Sequence, residues 1–134
     1  MSIQDNVEAL NIFIPKYLGK RVTDPFGFFR GECVSVAKRW LKDNNWPMRR
    51  GNAKDWVKNG YDGYGFYKNT PTFIPNPGDL AIFDVGKYGH IGVVKSATAK
   101  SMKVVQQNDP IGSPVTIKTY DYVHPKCVGF LRKL

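Results

Sequence analysis

The second half of the chain contains five short runs of strand-forming residues, and this arrangement constrains the fold more than any other feature. The runs cover residues 80–83, 90–95, 102–108, 115–120 and 127–131. Turns with glycine, proline or other polar residues separate the runs, so each connection is too short for the crossover that parallel pairing requires. The runs therefore predict an antiparallel sheet of about five strands. Residues 60–78 are rich in aromatic residues, glycine and proline, which indicates a loop region with at most one short strand.

The first half of the chain carries helical patterns instead. A first helix is predicted from an apolar stripe at Ile3, Val7, Leu10, Ile14, Tyr17 and Leu18. Pro15 is expected to bend this helix or end its regular part, and Gly19 to terminate it. A short third helix is predicted from Asn52 to Asn59-Gly60. Helices followed by a set of paired strands indicate an α+β fold, a single domain over residues 1–134 with its helices on one face of the sheet.

The second predicted helix begins at Cys33. Its apolar face carries Cys33, Val36, Ala37, Trp40 and Leu41, and its polar face carries Ser35, Lys38, Arg39 and Lys42. Backbone N–H groups and the positive end of the helix dipole favour a thiolate, so the pKa of Cys33 is expected to lie below its usual value of about 8.5. Such a residue is a candidate nucleophile. The alternative is a small core residue, which is the commoner role of a cysteine on an apolar helix face.

His90 is the first residue of the second predicted strand. Alternation along this strand places His90 and Gly92 on one face, and Gly92 is expected to leave room there for the helix of Cys33. The thiol and the imidazole would then lie within reach of each other. Gln106 and Asn108 share a face of the next strand, where a side-chain amide can accept the second ring proton of His90. A nucleophile, a base and an orienting amide together are typical of covalent catalysis by cysteine.

The net charge of +9 implies attraction to polyanions, which include nucleic acid, anionic lipid surfaces and acidic wall polymers. The basic residues are spread along the chain without a nucleic-acid-binding motif, which favours a generally positive surface over a specific nucleic-acid site. The chain begins without a basic segment followed by an apolar run, and no stretch approaches the roughly 20 apolar residues of a membrane span. We therefore expect a monomer with free cysteines, made in the cytoplasm without a signal peptide and without a membrane span.

Three segments together carry a family resemblance. They are Gly31-Glu32-Cys33-Val34 at a helix start, Pro77-Gly78-Asp79-Leu80-Ala81-Ile82-Phe83 leading to Gly89-His90-Ile91-Gly92-Val93-Val94, and Val105-Gln106-Gln107-Asn108. In this order and spacing they resemble the CHAP family of cysteine- and histidine-dependent amidohydrolases and peptidases. The resemblance extends from about Tyr17 to Arg132. It implies a papain-like fold, with Cys33 as nucleophile and His90 as general base. Many such domains belong to phage endolysins or bacterial wall hydrolases, so the resemblance also implies that the substrate is bacterial peptidoglycan, cut after release of the protein from the cell that makes it.

The third catalytic position departs from the family pattern. The family commonly has a glutamate where this chain has Gln106, with an asparagine two residues later, here Asn108. A neutral amide can hold the tautomer of His90, but it stabilises the imidazolium less than a carboxylate does. We expect Asn108 to orient His90 with Gln106 beside it, and Asp109 is the alternative.

No metal or cofactor is expected. Some family members bind calcium through alternating acidic residues ahead of the cysteine, whereas here only Asp24 remains, followed at alternate positions by Phe26, Phe28 and Arg30. Cys33, His90, His124 and Cys127 could together form a zinc site, but only His124 and Cys127 are spaced as a ligand pair.

Three functions remain open at this point. The first is a peptidoglycan hydrolase, either an endopeptidase or an N-acetylmuramoyl-L-alanine amidase. The second is a non-catalytic basic module that adheres to wall polymers or nucleic acid, which would explain the charge but not the pairing of Cys33 with His90. The third is a papain-like protease or deamidase that acts on protein.

Overall fold

A computed structural model describes residues 2–25, 32–49, 51–57, 63–121 and 126–134. The helices are α1 (Ile3–Tyr17), α2 (Cys33–Asp43) and a 3₁₀ helix (Ala53–Val57). The strands are β1 (Tyr64–Lys68), β2 (Leu80–Phe83), β3 (His90–Ala97), β4 (Ser101–Gln106), β5 (Thr116–Asp121) and β6 (Cys127–Lys133). The described strands form one sheet in the order β1-β6-β2-β3-β4-β5, and every neighbouring pair is antiparallel.

The predicted α+β class and the antiparallel sheet are confirmed. The sheet has six described strands rather than about five, because residues 64–68 pair along their full length with β6. Strands β2 to β5 form a meander, as their short connections require. Strand β6 instead returns to pair with β2 on the other side of that meander. As a result, β2 and β3 lie at the centre of the sheet, where β2 is buried throughout and β3 along its first five residues.

Helix α1 begins with a capping box in which Ser2 and Asp5 exchange hydrogen bonds. It continues through Pro15 and ends at Tyr17, so the proline lies in the last turn. Leu10, Ile14 and Tyr17 of the predicted stripe are buried. The two ends of that stripe, Ile3 and Leu18, are exposed because the helix extends past the core at both ends. Phe13, which the stripe omitted, is buried against Trp40 of α2 at a ring-centroid distance of 5.3 Å.

Helix α2 packs on the face of the sheet that carries Ile91 and Val93, together with Leu80, Ile82, Val105 and Leu131. This face is opposite to the one that carries His90, Gly92 and Val94, so the predicted packing of α2 over Gly92 is wrong. A Cβ atom at Gly92 would lie 2.3 Å from Cγ1 of Val104 and 3.1 Å from Cβ of Gln106. Glycine is therefore required for the close approach of β4 to β3 rather than for the approach of a helix.

The second face of the sheet has its own apolar cluster. Its buried members are Ala81, Phe83, Val94, Met102, Val104, Tyr120, Cys127 and Phe130, and Phe73, Val85 and Ala97 pack against them. Because loop side chains cover this face, no helix is needed there. Helix α2 packs on the opposite face, which carries Ile91 and Val93.

The predicted polar face of α2 is only partly correct. Ser35 and Lys38 are buried, not exposed, because residues 22–25 cover that side of the helix. The ammonium of Lys38 lies 2.7 Å from Oδ2 of the buried Asp24, and Nε of Arg39 donates a hydrogen bond to the carbonyl of Thr23. Only Lys42 of the predicted polar face is fully exposed.

Two of the predicted features fall partly outside the residues that the structure describes. Residues 53–57 form the described part of the predicted third helix, as a 3₁₀ helix, and its predicted end at residues 59–60 lies outside the described residues. The turn predicted at residues 24–27 and the segment 28–31 before Cys33 lie partly or wholly outside them too. No helix within the described ranges is long and apolar enough to cross a membrane.

Replacing Lys38 with Met is expected to lower the free energy of unfolding by about 3–5 kcal/mol, because it leaves the buried Asp24 carboxylate without its ammonium partner. The matched control is Lys42→Met on the exposed side of the same helix, with an expected change below about 0.5 kcal/mol. Urea unfolding followed by tryptophan fluorescence measures both changes. Equal losses in the two variants would show that the ion pair does not contribute.

Candidate active site

An open cleft of about 560 Å³ lies where the N-terminus of α2 meets the start of β3. Its lining residues are Arg21, Glu32, Cys33, Val34, Asn52, Ala53, Val85, Gly86, Lys87, Tyr88, Gly89, His90, Asn108, Asp109, Ile111 and Gly112. Three of the four predicted site residues, Cys33, His90 and Asn108, therefore share one cleft. The fourth, Gln106, is buried at the end of β4.

Cys33 is the first residue of α2 and is half-buried. Its Sγ atom lies 4.0 Å from the carbonyl oxygen of Gly89, the residue before His90. Gly89 has a φ of 78°, and a Cβ atom there would lie 2.9 Å from the backbone nitrogen of Lys54 and 3.0 Å from the carbonyl oxygen of Phe83. Only glycine fits this turn without strain, and the turn places the start of β3 against the sulfur.

The thiol of Cys33 is harder to ionise than a free cysteine. Burial raises its pKa to about 11, although hydrogen bonding from the backbone N–H of Ile91 opposes the rise. The negative charge of Glu32 raises the pKa further, and the N–H groups of Val34 and Cys33 lower it by less. The predicted low pKa is therefore wrong, because desolvation outweighs the favourable N–H groups at the helix start.

His90 is 6% exposed, and its ring packs against Phe83 with the centroids 5.8 Å apart. Burial lowers the pKa of the imidazole, whereas the charge of Asp109 and the side chain of Gln106 raise it by less and Lys118 lowers it. The ring is therefore neutral at neutral pH. The cleft is therefore lined by a protonated thiol and a neutral imidazole, and an imidazole in this state can accept a proton.

Gln106 is placed to orient this imidazole. Its Nε2 atom donates to Oγ1 of Thr116 at 2.9 Å and to the carbonyl of Asp109 at 3.3 Å, which leaves Oε1 as the free acceptor. Within the described part of the chain, Oε1 of Gln106 and Nε2 of His90 are both buried without a hydrogen-bond partner. The Gln106 side chain raises the pKa of His90, so it favours the charged imidazole.

Asn108 has different contacts. Its Nδ2 atom donates to Oε2 of Glu32 at 3.3 Å, and its Oδ1 atom accepts a hydrogen bond of 2.7 Å from the N–H of Gly112. Its φ of 66° is a left-handed conformation that asparagine tolerates better than most residues. These contacts hold Asn108 to Glu32 across the cleft. Neither contact is with His90, whereas the side chain of Gln106 acts on the imidazole, and the expected orienting role of Asn108 stays a prediction.

Gln107 is a buried site residue that the sequence analysis missed. Its Oε1 atom accepts a hydrogen bond from the N–H of Val22, and its Nε2 atom donates to the carbonyls of Val22 and Glu32, all at 2.8–2.9 Å. This amide clamp ties the end of β4 to Glu32, the residue that precedes Cys33. The alternation of side chains along β4 could have indicated this position, because it places Gln107 on the face of the sheet that packs against α2, opposite to Gln106.

The metal expectations remain predictions. Within the described ranges, no three His, Cys, Asp or Glu side chains lie together as metal ligands do. Cys127 is a buried free thiol in the second apolar cluster, and burial raises its pKa to about 12. Its suggested zinc partner His124, and residues 26–30 of the calcium pattern, lie outside the described residues.

Comparison with known proteins gives consistent results. The CHAP domain family profile matches residues 23–108. The chain is 32% identical over 93 residues to the endolysin LysK of Staphylococcus phage K and 31% identical over 120 residues to the endolysin PlyTW of Staphylococcus phage Twort. These alignments cover 63% and 75% of this chain but only 19% and 25% of the two relatives. The chain therefore spans a quarter or less of the length of these relatives.

Solved structures share the fold at lower identity. The wild-type endolysin LysIME-EF1 has a TM-score of 0.72 and 18% identity, covering 99% of this chain and 64% of that one. Ly7917 has a TM-score of 0.65 and 14% identity, covering 99% of this chain and 62% of that one. A second structure of Ly7917 includes the hydrolysing product of MDP.

Because burial keeps the Cys33 thiol protonated, its alkylation by iodoacetamide is expected to accelerate about tenfold per pH unit above neutrality and to level off only near pH 11. Mass spectrometry of the digested protein separates Cys33 from the more deeply buried Cys127, which serves as the internal control. A rate for Cys33 that is already maximal at neutral pH would contradict the protonated state, because it would indicate a preformed thiolate.

Proposed function

The chain belongs to the CHAP domain family, and from this premise we propose that it hydrolyses an amide bond of bacterial peptidoglycan as part of a phage endolysin, with Cys33 as its nucleophile. The observation that best supports this proposal is that Cys33 and His90 line one open cleft, where the start of α2 meets the start of β3. The names of its two phage relatives support the wall as substrate. The protein would then act on the wall after its release from the cytoplasm of the host.

The chemistry follows from the neutral pair. His90 removes the proton from Cys33 as the sulfur attacks the carbonyl carbon of the wall amide. The backbone N–H of Cys33 at the helix start is available to donate to the oxyanion that forms. His90 then transfers its proton to the leaving amine, and a thioester remains on Cys33. In the second half of the reaction His90 deprotonates a water molecule that attacks the thioester, which releases the carboxylic acid and restores the thiol.

The alternatives are weaker for specific reasons. A non-catalytic binder needs no histidine beside its cysteine, and it needs no clamp such as that of Gln107. A protease or deamidase acting on protein would use the same pair, so the cleft does not distinguish its substrate from a wall peptide. The endolysin relatives favour the wall, and product analysis decides between the two substrates.

Cys33→Ala and His90→Ala are each expected to lower the release of fragments from purified peptidoglycan at least about a thousandfold while the protein stays folded. Cys127→Ala, which removes the cysteine outside the cleft, is the matched control and is expected to retain activity. Mass spectrometry of the released ends identifies the bond that is cut, and circular dichroism checks folding. Undiminished hydrolysis by Cys33→Ala would overturn the assignment.

We also propose that the net charge of +9 attracts the domain to anionic wall polymers. Retention of the Cys33→Ala protein on intact walls is expected to fall as salt rises from about 0.05 M to about 0.5 M, because screening weakens attraction between exposed charges. Walls stripped of their anionic polymers are the control. Retention that does not depend on salt or on those polymers would contradict the electrostatic contribution.

A further inference from the structure

Asp109 has a carboxylate that is held in place at the cleft. Its Oδ2 atom accepts hydrogen bonds from Nζ of Lys118 and from the hydroxyl of Tyr120, both at 3.1 Å. Its backbone carbonyl accepts the hydrogen bond from Gln106. The carboxylate is therefore fixed by two strand side chains, and its own backbone is attached to the amide that lies beside His90.

One strand partner of Asp109, Tyr120, is connected to the imidazole by a row of packed, tilted rings. The ring of Tyr120 packs against Phe83 at 4.7 Å, and Phe83 packs against His90 at 5.8 Å, both measured between centroids. In the register of β4 and β5, Met102 pairs with Tyr120 and Val104 pairs with Lys118. These pairs lie on the sheet face that carries His90. The hydroxyl of Tyr120 therefore holds Asp109 at one end of this row of rings, and His90 lies at the other end.

The proposed reaction creates a need for negative charge at this position. His90 becomes positively charged in each half of the reaction, within a site where burial disfavours that charge. Gln106 is neutral, so it can orient the ring but supplies no compensating charge. The other carboxylate of the cleft, Glu32, accepts from Asn108 and acts on Cys33. Within the described part of the chain, the charged residues that act on His90 are Asp109 and Lys118.

We propose that Asp109 is a positioning residue that stabilises the imidazolium form of His90 during catalysis, while Gln106 fixes the orientation of the ring. The two tasks that a glutamate at position 106 would combine are then divided between two residues. This inference rests on the proposed function, because it concerns the charge that the reaction places on His90.

The ionisation behaviour of the pair is consistent with this division. Burial opposes ionisation of Asp109, but the hydrogen bond from Lys118 and the charge of His90 outweigh it and lower the pKa of the carboxyl group. Asp109 is therefore ionised at neutral pH. In return, the charge of Asp109 raises the pKa of His90 against the larger effect of burial, and Lys118 acts in the opposite direction. The Cys33 thiol, protonated at this pH, adds no charge to the site.

Asp109 and Lys118 act on the pKa of His90 in opposite directions, and this difference allows a test. If Asp109 acts through its charge, Asp109→Asn lowers the pKa of His90 and Lys118→Met raises it. If Asp109 only anchors the loop, both substitutions remove the same ion pair and leave the pKa of His90 where it was. The matched controls are Asp121→Asn at the end of β5 and Lys103→Met on β4, which make the same changes of charge outside the cleft.

Proton NMR of the imidazole measures these effects directly. The chain has two histidines, so His124 provides an internal reference in every titration. The titrations use the Cys33→Ala protein, which keeps the thiol out of the measurement. Opposite displacements of the His90 midpoint in the Asp109 and Lys118 variants support the proposal. Unchanged midpoints, or displacements in the same direction, overturn it.

Turnover of peptidoglycan supplies the second readout. Asp109→Asn is expected to lower kcat about tenfold and to move the acid limb of the kcat/KM profile to lower pH, because the neutral form of His90 persists to lower pH. Adding Gln106→Glu to this variant is expected to restore most of kcat by returning a carboxylate to the ring. An unchanged kcat in Asp109→Asn, or no recovery in the double variant, overturns the proposal. Absence of wall cleavage by the unaltered protein would overturn the proposed function instead, while the titrations still decide whether Asp109 controls the charge of His90.

Discussion

The amide clamp of Gln107 is the interaction on which the geometry of the site depends. Its side chain satisfies three backbone groups, two on Val22 and one on Glu32; the two bonds to Val22 are buried and the bond to Glu32 is partly buried. Leaving such groups unpaired costs about 1–3 kcal/mol each, so the clamp strongly favours one position for the chain before α2. That position decides where Cys33 lies relative to the start of β3. The cleft is therefore built by a residue that takes no part in the chemistry.

Burial then determines the charge state of the catalytic pair. Desolvation disfavours the thiolate of Cys33 and the imidazolium of His90 together, so the resting pair is neutral. In the proposed reaction, charge appears on both groups only when the proton moves between them. A site of this kind gains from nearby groups that stabilise the charged ring without exposing it to water. In the proposed mechanism, the carboxylate of Asp109 and the amide of Gln106 are the two groups that would do so.

The cysteine and the histidine line one cleft although they are associated with opposite faces of the sheet. Helix α2 packs on the face of Ile91 and Val93, whereas His90 belongs to the other face. They share the cleft because each is the first residue of its element, and the start of α2 lies against the residue that precedes β3. A histidine two residues further along β3 would lie at the position of Gly92, against β4. Cys33 and His90 can therefore line one cleft from opposite faces of the sheet, because each lies at the start of its helix or strand.

The sequence by itself determined the elements and the chemical groups. Period-2 and period-3.6 patterns are local properties, so they correctly indicated the strand positions and the start of α2 at Cys33. The family was indicated separately, by the resemblance of three short segments to the CHAP family. The tertiary structure decided which face α2 covers, that Ser35 and Lys38 are buried, and that the side chain of Gln106 acts on His90. It also reversed the expected direction of the pKa of Cys33. These properties depend on desolvation and on contacts between segments far apart in the chain, such as residues 22–25 against α2, and no local pattern encodes them.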